Sequence, residues 1–359
     1  DAGQGYLDTT GVASAFRAFA GCAGLETVTL TGTDACPLFG RASANLSQMF
    51  SGAMQATRVT DGAVTLANLG NGRGADLSSL LGSAGAEAAP TGMRTLFLSN
   101  VGNGDVADLA HLADGAAGLM EADIQNVGNG ASAQLSHAFA NVATKGTGVP
   151  AGAQGLSFTL EDTGVGGTAA TAGADLPDLF AGSFTEPALS GLPEGAKVVF
   201  KGSSDASAAP AATSVARLLY PGPDAESHLT HADLRGLPAV AGGASRSAEL
   251  MLANLAEIRV VTDKCDREGA LPSAAAYLGE ASSDAAGHAL VALPWHWDTA
   301  AVTSMAGMCQ RMGALELFDS TDLVTSRAGT DLSSMFDGCG SLRWAVFDAG
   351  ATEPARFDA

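Results

Sequence analysis

Basic side chains are scarce in this chain of 359 residues. Lys and Arg total 18, only four of them Lys, against 38 Asp and Glu, for a formal charge of −20. So acidic a chain lacks the basic footprint that nucleic-acid backbones need, and anionic membrane surfaces repel it. Apolar runs such as His288–Pro294 fall far short of the roughly 20 residues that span a bilayer. There is no Cys-x-x-Cys, no Gly-x-Ser-x-Gly, and no lysine preceded by glycine. Zinc-ribbon, thioredoxin-like, α/β-hydrolase and P-loop readings therefore lack their residues. The sequence starts at Asp1, as expected of a mature or trimmed product. Aromatic residues make up only 6% and charged residues 16%, whereas the apolar share of 46% is that of a folded protein. Glycine is in excess: there are 46, nearly twice the usual share, with no G-X-Y period, which excludes collagen and predicts many turns.

The chain repeats itself. Asn-Leu/Val-Gly-Asn-Gly starts at Asn68, Asn100 and Asn126, in steps of 32 and 26 residues. A second element, Leu-Ser-x-Met-Phe-x-Gly-Cys/Ala, occurs at Leu46–Ala53 and Leu332–Cys339. Weaker copies begin at Ala15, Leu77, Leu109, Leu135, Leu176, Val215 and Val302, with the faintest near Ser245 and Ala274. Leu46, Met49 and Phe50 stand at i, i+3 and i+4, which predicts one face of a short helix ended by Gly52. Alternation at Val28-Thr29-Leu30 and Leu315-Glu316-Leu317 predicts strands. One helical turn and one strand cannot bury an apolar face alone, but stacked units share a core. The expected fold is an α/β repeat solenoid, an elongated stack of short helix–strand units. It forms one domain over 1–359, with clear repeats in 15–142 and 302–347 and divergent, loop-inserted repeats in 143–301.

At Asp331–Leu342, and less closely at Ala301–Cys309, the sequence resembles the BspA-like leucine-rich repeats, also called the Mycoplasma-type surface repeat. The units here are longer, and Asn-Val-Gly-Asn-Gly replaces that family's Phe-Asp-Thr-Ser-x-Val. The resemblance implies a right-handed, leucine-rich-repeat-like stack in an exported or cell-surface protein used in adhesion, host contact or coat structure. The expected function is a non-catalytic extracellular or cell-surface protein acting in adhesion or protein–protein interaction. The alternative is a structural subunit of a larger extracellular assembly, such as a coat, filament or appendage. A repeat-scaffolded enzyme with its site in 145–300 is the most distant reading. Expected partners are a protein or glycan surface, copies of the chain itself, or other assembly subunits. No nucleic acid, membrane insertion, cofactor or metal is expected.

Individual residues add candidates. Cys309 and Cys339 are one repeat apart, so neighbouring rungs about 4.8 Å apart would put them within disulfide reach. Two reduced packing cysteines are the other reading. Cys22 with Cys36 could close an N-terminal loop, and Cys265 makes the total odd. Trp295 and Trp297, flanking His296, share one face of a strand, as an aromatic platform for a sugar or partner or as core. Asn68, Asn100 and Asn126 at strand-to-turn corners predict a structural Asn ladder. His111 and His137 share one repeat position and are expected to stack at the surface. His228 and His231 lack a third ligand, and Gly72–Leu77 resembles a calcium nonapeptide without its nine-residue period. Asn45-Leu46-Ser47 is the sole glycosylation sequon, relevant only where the source glycosylates.

Overall fold

Alternating apolar residues build the strands. In the stretch from Gly62 to Leu69, Val64 and Leu66 are buried while Thr65 points the other way, the two-residue period of a strand. A computed structural model describes residues 8–33, 36–83, 89–164, 176–201, 211–212, 214–234, 236, 239–240, 247–262, 289–292, 302–320, 330–347 and 355–358. Its strands are β1 (Thr27–Thr31), β2 (Gly62–Leu69), β3 (Met93–Val101), β4 (Glu121–Val127), β5 (Leu156–Glu161), β6 (Ala196–Lys201), β7 (Ala211–Ala212), β8 (His231–Asp233), β9 (Ala239–Val240), β10 (Val260–Thr262), β11 (Ala289–Ala292), β12 (Leu315–Ser320), β13 (Trp344–Phe347) and β14 (Ala355–Asp358). Twelve of them form one sheet in chain order, and β7 and β9 pair separately. Every pairing is parallel except that of β13 with β14. The register aligns like with like: Leu30, Leu66, Leu98, Ile124, Leu160 and Phe200 stand opposite one another on successive strands. Leu66, Leu98, Ile124 and Leu160 are fully buried, and each such side chain contributes roughly 2 kcal/mol.

The expected helices are absent, and the helix–strand class is wrong. Among the described residues there is no α-helix, only a 3₁₀ turn at Pro187–Gly191. At Leu46–Gly52 the chain runs through consecutive tight turns instead. Met49 N–H closes back on Leu46 C=O (3.3 Å), but Gln48 N–H donates to Ser78 C=O (3.2 Å) and Phe50 N–H to Leu80 C=O (2.9 Å). Alternate backbone groups thus bond within the turn and to the next repeat. A right-handed helix is interrupted at Gln48, where φ is +57°. Leu46, Met49 and Phe50 are nonetheless buried, since stacked turns also bring i, i+3 and i+4 to one side. The described residues are all-β: a parallel sheet on one side, a ladder of stacked turns on the other, and the apolar core between them.

The turn ladder sets the register of the repeats. Arg17, Gln48, Ser79, His111, His137, Asp178, Arg217, Leu250, Gly307 and Ser334 are equivalent, all with φ between 52° and 62°. Except for Ser334, each donates its N–H to the following repeat. The unit expected to begin at Val302 is registered at Met305, whose N–H reaches Asp331 C=O (2.8 Å). The unit expected near Ser245 is registered at Ala248, and the one near Ala274 lies outside the described residues. A short polar side chain opens several of the turn segments by accepting the N–H two residues on. Asn45 does so for Ser47 (3.0 Å), Asp76 for Ser78 (3.0 Å) and Asp108 for Ala110 (2.9 Å). At the opposite corner backbones touch directly. A Cβ on Gly104 would collide with the Gly72 carbonyl, and one on Gly130 with the Gly104 carbonyl.

Candidate binding faces

The corner asparagines form two parallel rows. Asn68, Asn100 and Asn126 have φ of 51°, 54° and 52°, a left-handed conformation that asparagine tolerates better than most residues. Asn100 donates its amide to Asn68 Oδ1, and Asn126 Nδ2 donates to Asn100 Oδ1 (3.1 Å). A second row, unforeseen although it lies three residues on in the same motif, is Asn71, Asn103 and Asn129. Asn71 Nδ2 donates to Asn100 C=O (2.9 Å) and Asn103 Nδ2 to Asn126 C=O (2.8 Å). Asn103 N–H donates to Asn71 Oδ1 and Asn129 N–H to Asn103 Oδ1, both at 2.9 Å. These amides tie neighbouring repeats together, so the rows hold the stack.

On the turn side, the left-handed column carries a polar chain. The rings of His111 and His137 stack with centroids 5.0 Å apart. His111 Nδ1 lies 2.8 Å from Asp114 Oδ2, and Asp114 Oδ1 accepts from Asn141 Nδ2 at 2.8 Å. His137 Nε2 is 3.9 Å from Asp178 Oδ2, and Asp178 is gripped by Arg217 through two bonds of 2.6 Å. The Asp178 hydrogen bonds hold the Arg217 guanidinium above its ordinary pKa despite partial burial. Among the described residues, no three His, Cys, Asp or Glu converge on a common metal position.

The other side is the outward face of the sheet. The strand period places Thr27, Thr29, Thr31, Ala63, Thr65, Ala67, Thr95, Phe97 and Ser99 of β1–β3 there, none of them charged and one of them, Phe97, aromatic. Glu121, Asp123 and Gln125 of β4 and Ser157, Thr159 and Glu161 of β5 follow, then Lys197, Val199 and Lys201 of β6, and His231 with the buried Asp233 of β8. The charge of this face thus changes along the stack: the outward positions of β1–β3 are uncharged, those of β4 and β5 carry only acidic charges, and the Lys and His groups come on β6 and β8.

The remaining candidates are placed as follows. The four described cysteines are free thiols: Cys22 and Cys36 are exposed, Cys309 is buried, and Cys339 Sγ donates to the Cys309 carbonyl (2.9 Å). Burial above all, then the neighbouring Cys339, pushes the Cys309 thiol well above its usual pKa. Cys265, Trp295, His296 and Trp297 lie outside the described residues. Asn45 is half-buried, with Oδ1 accepting from both Ser47 N–H and Ser47 Oγ. His228 bonds Glu257 (2.9 Å), whereas His231 faces Thr230, so this pair does not converge. A cleft lined by Pro223, Asp224, Glu226, Asn254 and Arg311 has two of its polar side chains in use. Arg311 donates to Pro223 C=O (2.8 Å) and Asn254 to Gly222 C=O (2.6 Å). No family model, curated protein or solved structure matches the chain.

Proposed function

We propose that this chain is a non-catalytic interaction protein of the cell surface or extracellular space, binding a protein or glycan partner across several repeats. The outer face of β1–β6 and β8, uncharged on β1–β3 and charged beyond, carries the reading. A parallel ladder with a common register holds its rows of side chains at a spacing of about 4.8 Å. Such a face suits an extended partner that takes a little affinity from each repeat. The test is binding to arrayed glycans and matrix proteins by the intact chain and by Thr29→Arg and Thr65→Arg, which place charge in the uncharged band. Binding that disappears in folded variants supports the reading; binding by the variants equal to that of the parent overturns it.

One observation favours a second reading, a subunit of a larger assembly. In the first repeat Phe16 is 48% and Phe19 41% exposed, with Phe19 stacked on Phe50 at 5.2 Å. Exposed aromatic rings such as these suit burial against another subunit. Sedimentation velocity over a concentration series tests this. Association lost in Phe16→Ser supports it; a monomer at every concentration sinks it.

A further inference from the structure

The two outermost strands of the described sheet are treated differently. On one side the antiparallel strand β14 pairs with β13 and takes up its outer backbone groups. On the other, β1 pairs with β2 alone among the described strands. Ala63 N–H donates to Glu26 C=O (3.0 Å) and Gly32 N–H to Ala67 C=O (2.8 Å). Glu26, Val28, Leu30 and Gly32 therefore turn their backbone groups towards β2. Thr27, Thr29 and Thr31 turn theirs the other way, and all three residues are exposed. Natural edge strands are blunted by lysine, proline, a bulge or a covering segment. Thr27-Val28-Thr29-Leu30-Thr31 contains no lysine, proline or charge, and it pairs with β2 without a shift of register.

Apolar surface opens on the same side. Leu30 is only half-buried, whereas Leu66 and Leu98 in its row are fully buried. Phe19 holds the turn position of Phe50, Leu81 and Phe139, which are buried, yet it is exposed, as is Phe16. A lone peptide strand added to β1 would cover the sheet and leave these residues bare. A second copy brings a strand and an apolar layer together.

We propose that β1 pairs antiparallel with β1 of a second copy of this chain, about a twofold axis through Thr29, so that two sheets become one. This rests on the assembly reading above and names its partner and its joint. The strand is complementary to its own inverse. With Thr29 opposite Thr29, Thr27 faces Thr31 and Val28 faces Leu30, so threonine meets threonine outside and aliphatic meets aliphatic inside. The threonine pairs are all of the hydrogen-bonded kind, each exchanging both of its N–H···O bonds. Two chains of formal charge −20 repel over most of their surface, but β1 is uncharged where they meet. Because β14 covers β13, the sheet cannot continue head to tail, and association stops at the twofold dimer. The turn segment shows the mate only carbonyl oxygens, at Phe16, Ala18 and Ala20, which stay with water. The sheet and the rings therefore hold the joint, and it is weak and concentration-dependent.

The test is thiol cross-linking of the full chain in a Cys22→Ser, Cys36→Ser, Cys265→Ser background carrying Thr29→Cys or, as control, Thr159→Cys on β5. The axis sets the two Thr29 Cα atoms about 5.5 Å apart. It sets the two Thr159 Cα atoms nine strand spacings apart, about 43 Å. A short bis-maleimide should therefore link most of the Thr29→Cys chain into a covalent dimer and leave the control and the background monomeric. Thr29→Pro is the second variant: the N–H it removes faces away from β2, so the fold should survive while self-affinity falls at least about tenfold by sedimentation velocity. Thr159→Cys linking as readily as Thr29→Cys, or a folded Thr29→Pro that associates like the parent, overturns the joint. Oligomers larger than a dimer overturn the twofold closure. A parent that associates while Thr29→Cys stays unlinked refutes this joint and leaves the assembly reading standing. A parent that is monomeric at every concentration removes both.

Discussion

Asp178 and Arg217, 39 residues apart in the chain, occupy the same position of successive turns and join through two hydrogen bonds of 2.6 Å. The Asp178 carboxylate is 8% exposed and the Arg217 side chain 45%. Arg217→Met would leave the carboxylate under-compensated, at a cost of about 1–2 kcal/mol after allowing for solvent screening. Arg217→Lys should recover only part of this, since an ammonium cannot grip both oxygens. Urea unfolding midpoints measure both, and a lysine variant as stable as the parent would show that the bidentate geometry contributes nothing.

The asparagine rows are separable from the backbone conformation they occupy. Asn100→Ala loses the side-chain bonds and also strains a φ of +54°, with an expected cost of about 2–3 kcal/mol. Asn100→Gly keeps the conformation and should cost about 1 kcal/mol less. Equal destabilisation by the two would assign the whole effect to hydrogen bonding.

Corner glycines should divide sharply by position. Gly104→Ala drives a methyl group into the Gly72 carbonyl and is expected to cost more than about 3 kcal/mol or to abolish folding. Gly340→Ala meets nothing within 4 Å and should change stability by less than about 0.5 kcal/mol. Thermal unfolding of the pair compares them directly.

Glu186 predicts a pH dependence. Burial would raise its pKa, but N–H groups of Ala188, Gly146 and Gly148 bond the carboxylate and hold it below the usual 4.5. The folded value lies below the unfolded one, so the ionised form favours the fold. That stability is fully present above about pH 4.5 and is lost as pH falls through the folded value. Glu186→Gln should flatten the stability–pH curve in that acid window only. A parent and variant with parallel curves would exclude the linkage.

Thiol labelling reports the stack directly. Cys22 and Cys36 are exposed and should react quickly with an aromatic disulfide reagent, whereas Cys309 should react only after denaturation. Fast labelling of Cys309 in the native protein would mean that the repeats around it open readily.

The repeats and most of their inward-facing residues were legible in the sequence alone, although the unit read from Val302 is registered three residues later, at Met305. Val28–Leu30 and Leu315–Leu317 lie in β1 and β12, and Leu46, Met49 and Phe50 are buried together. These follow from side-chain chemistry: apolar positions recur because each repeat needs a neighbour to hide them. What only the tertiary structure decided is the hydrogen-bond partner of each backbone group. Leu46–Gly52 carries a pattern that a helix and a run of stacked turns satisfy equally. The next repeat decides between them by accepting Gln48 and Phe50 N–H at Ser78 and Leu80. The neighbourhood of Lys197 and His231 was likewise invisible, since residues 34 apart become neighbours only once the sheet sets its register. Apolar periodicity marks which side chains are hidden. Backbone bonding and charge neighbourhoods depend on which distant segment lies one strand away.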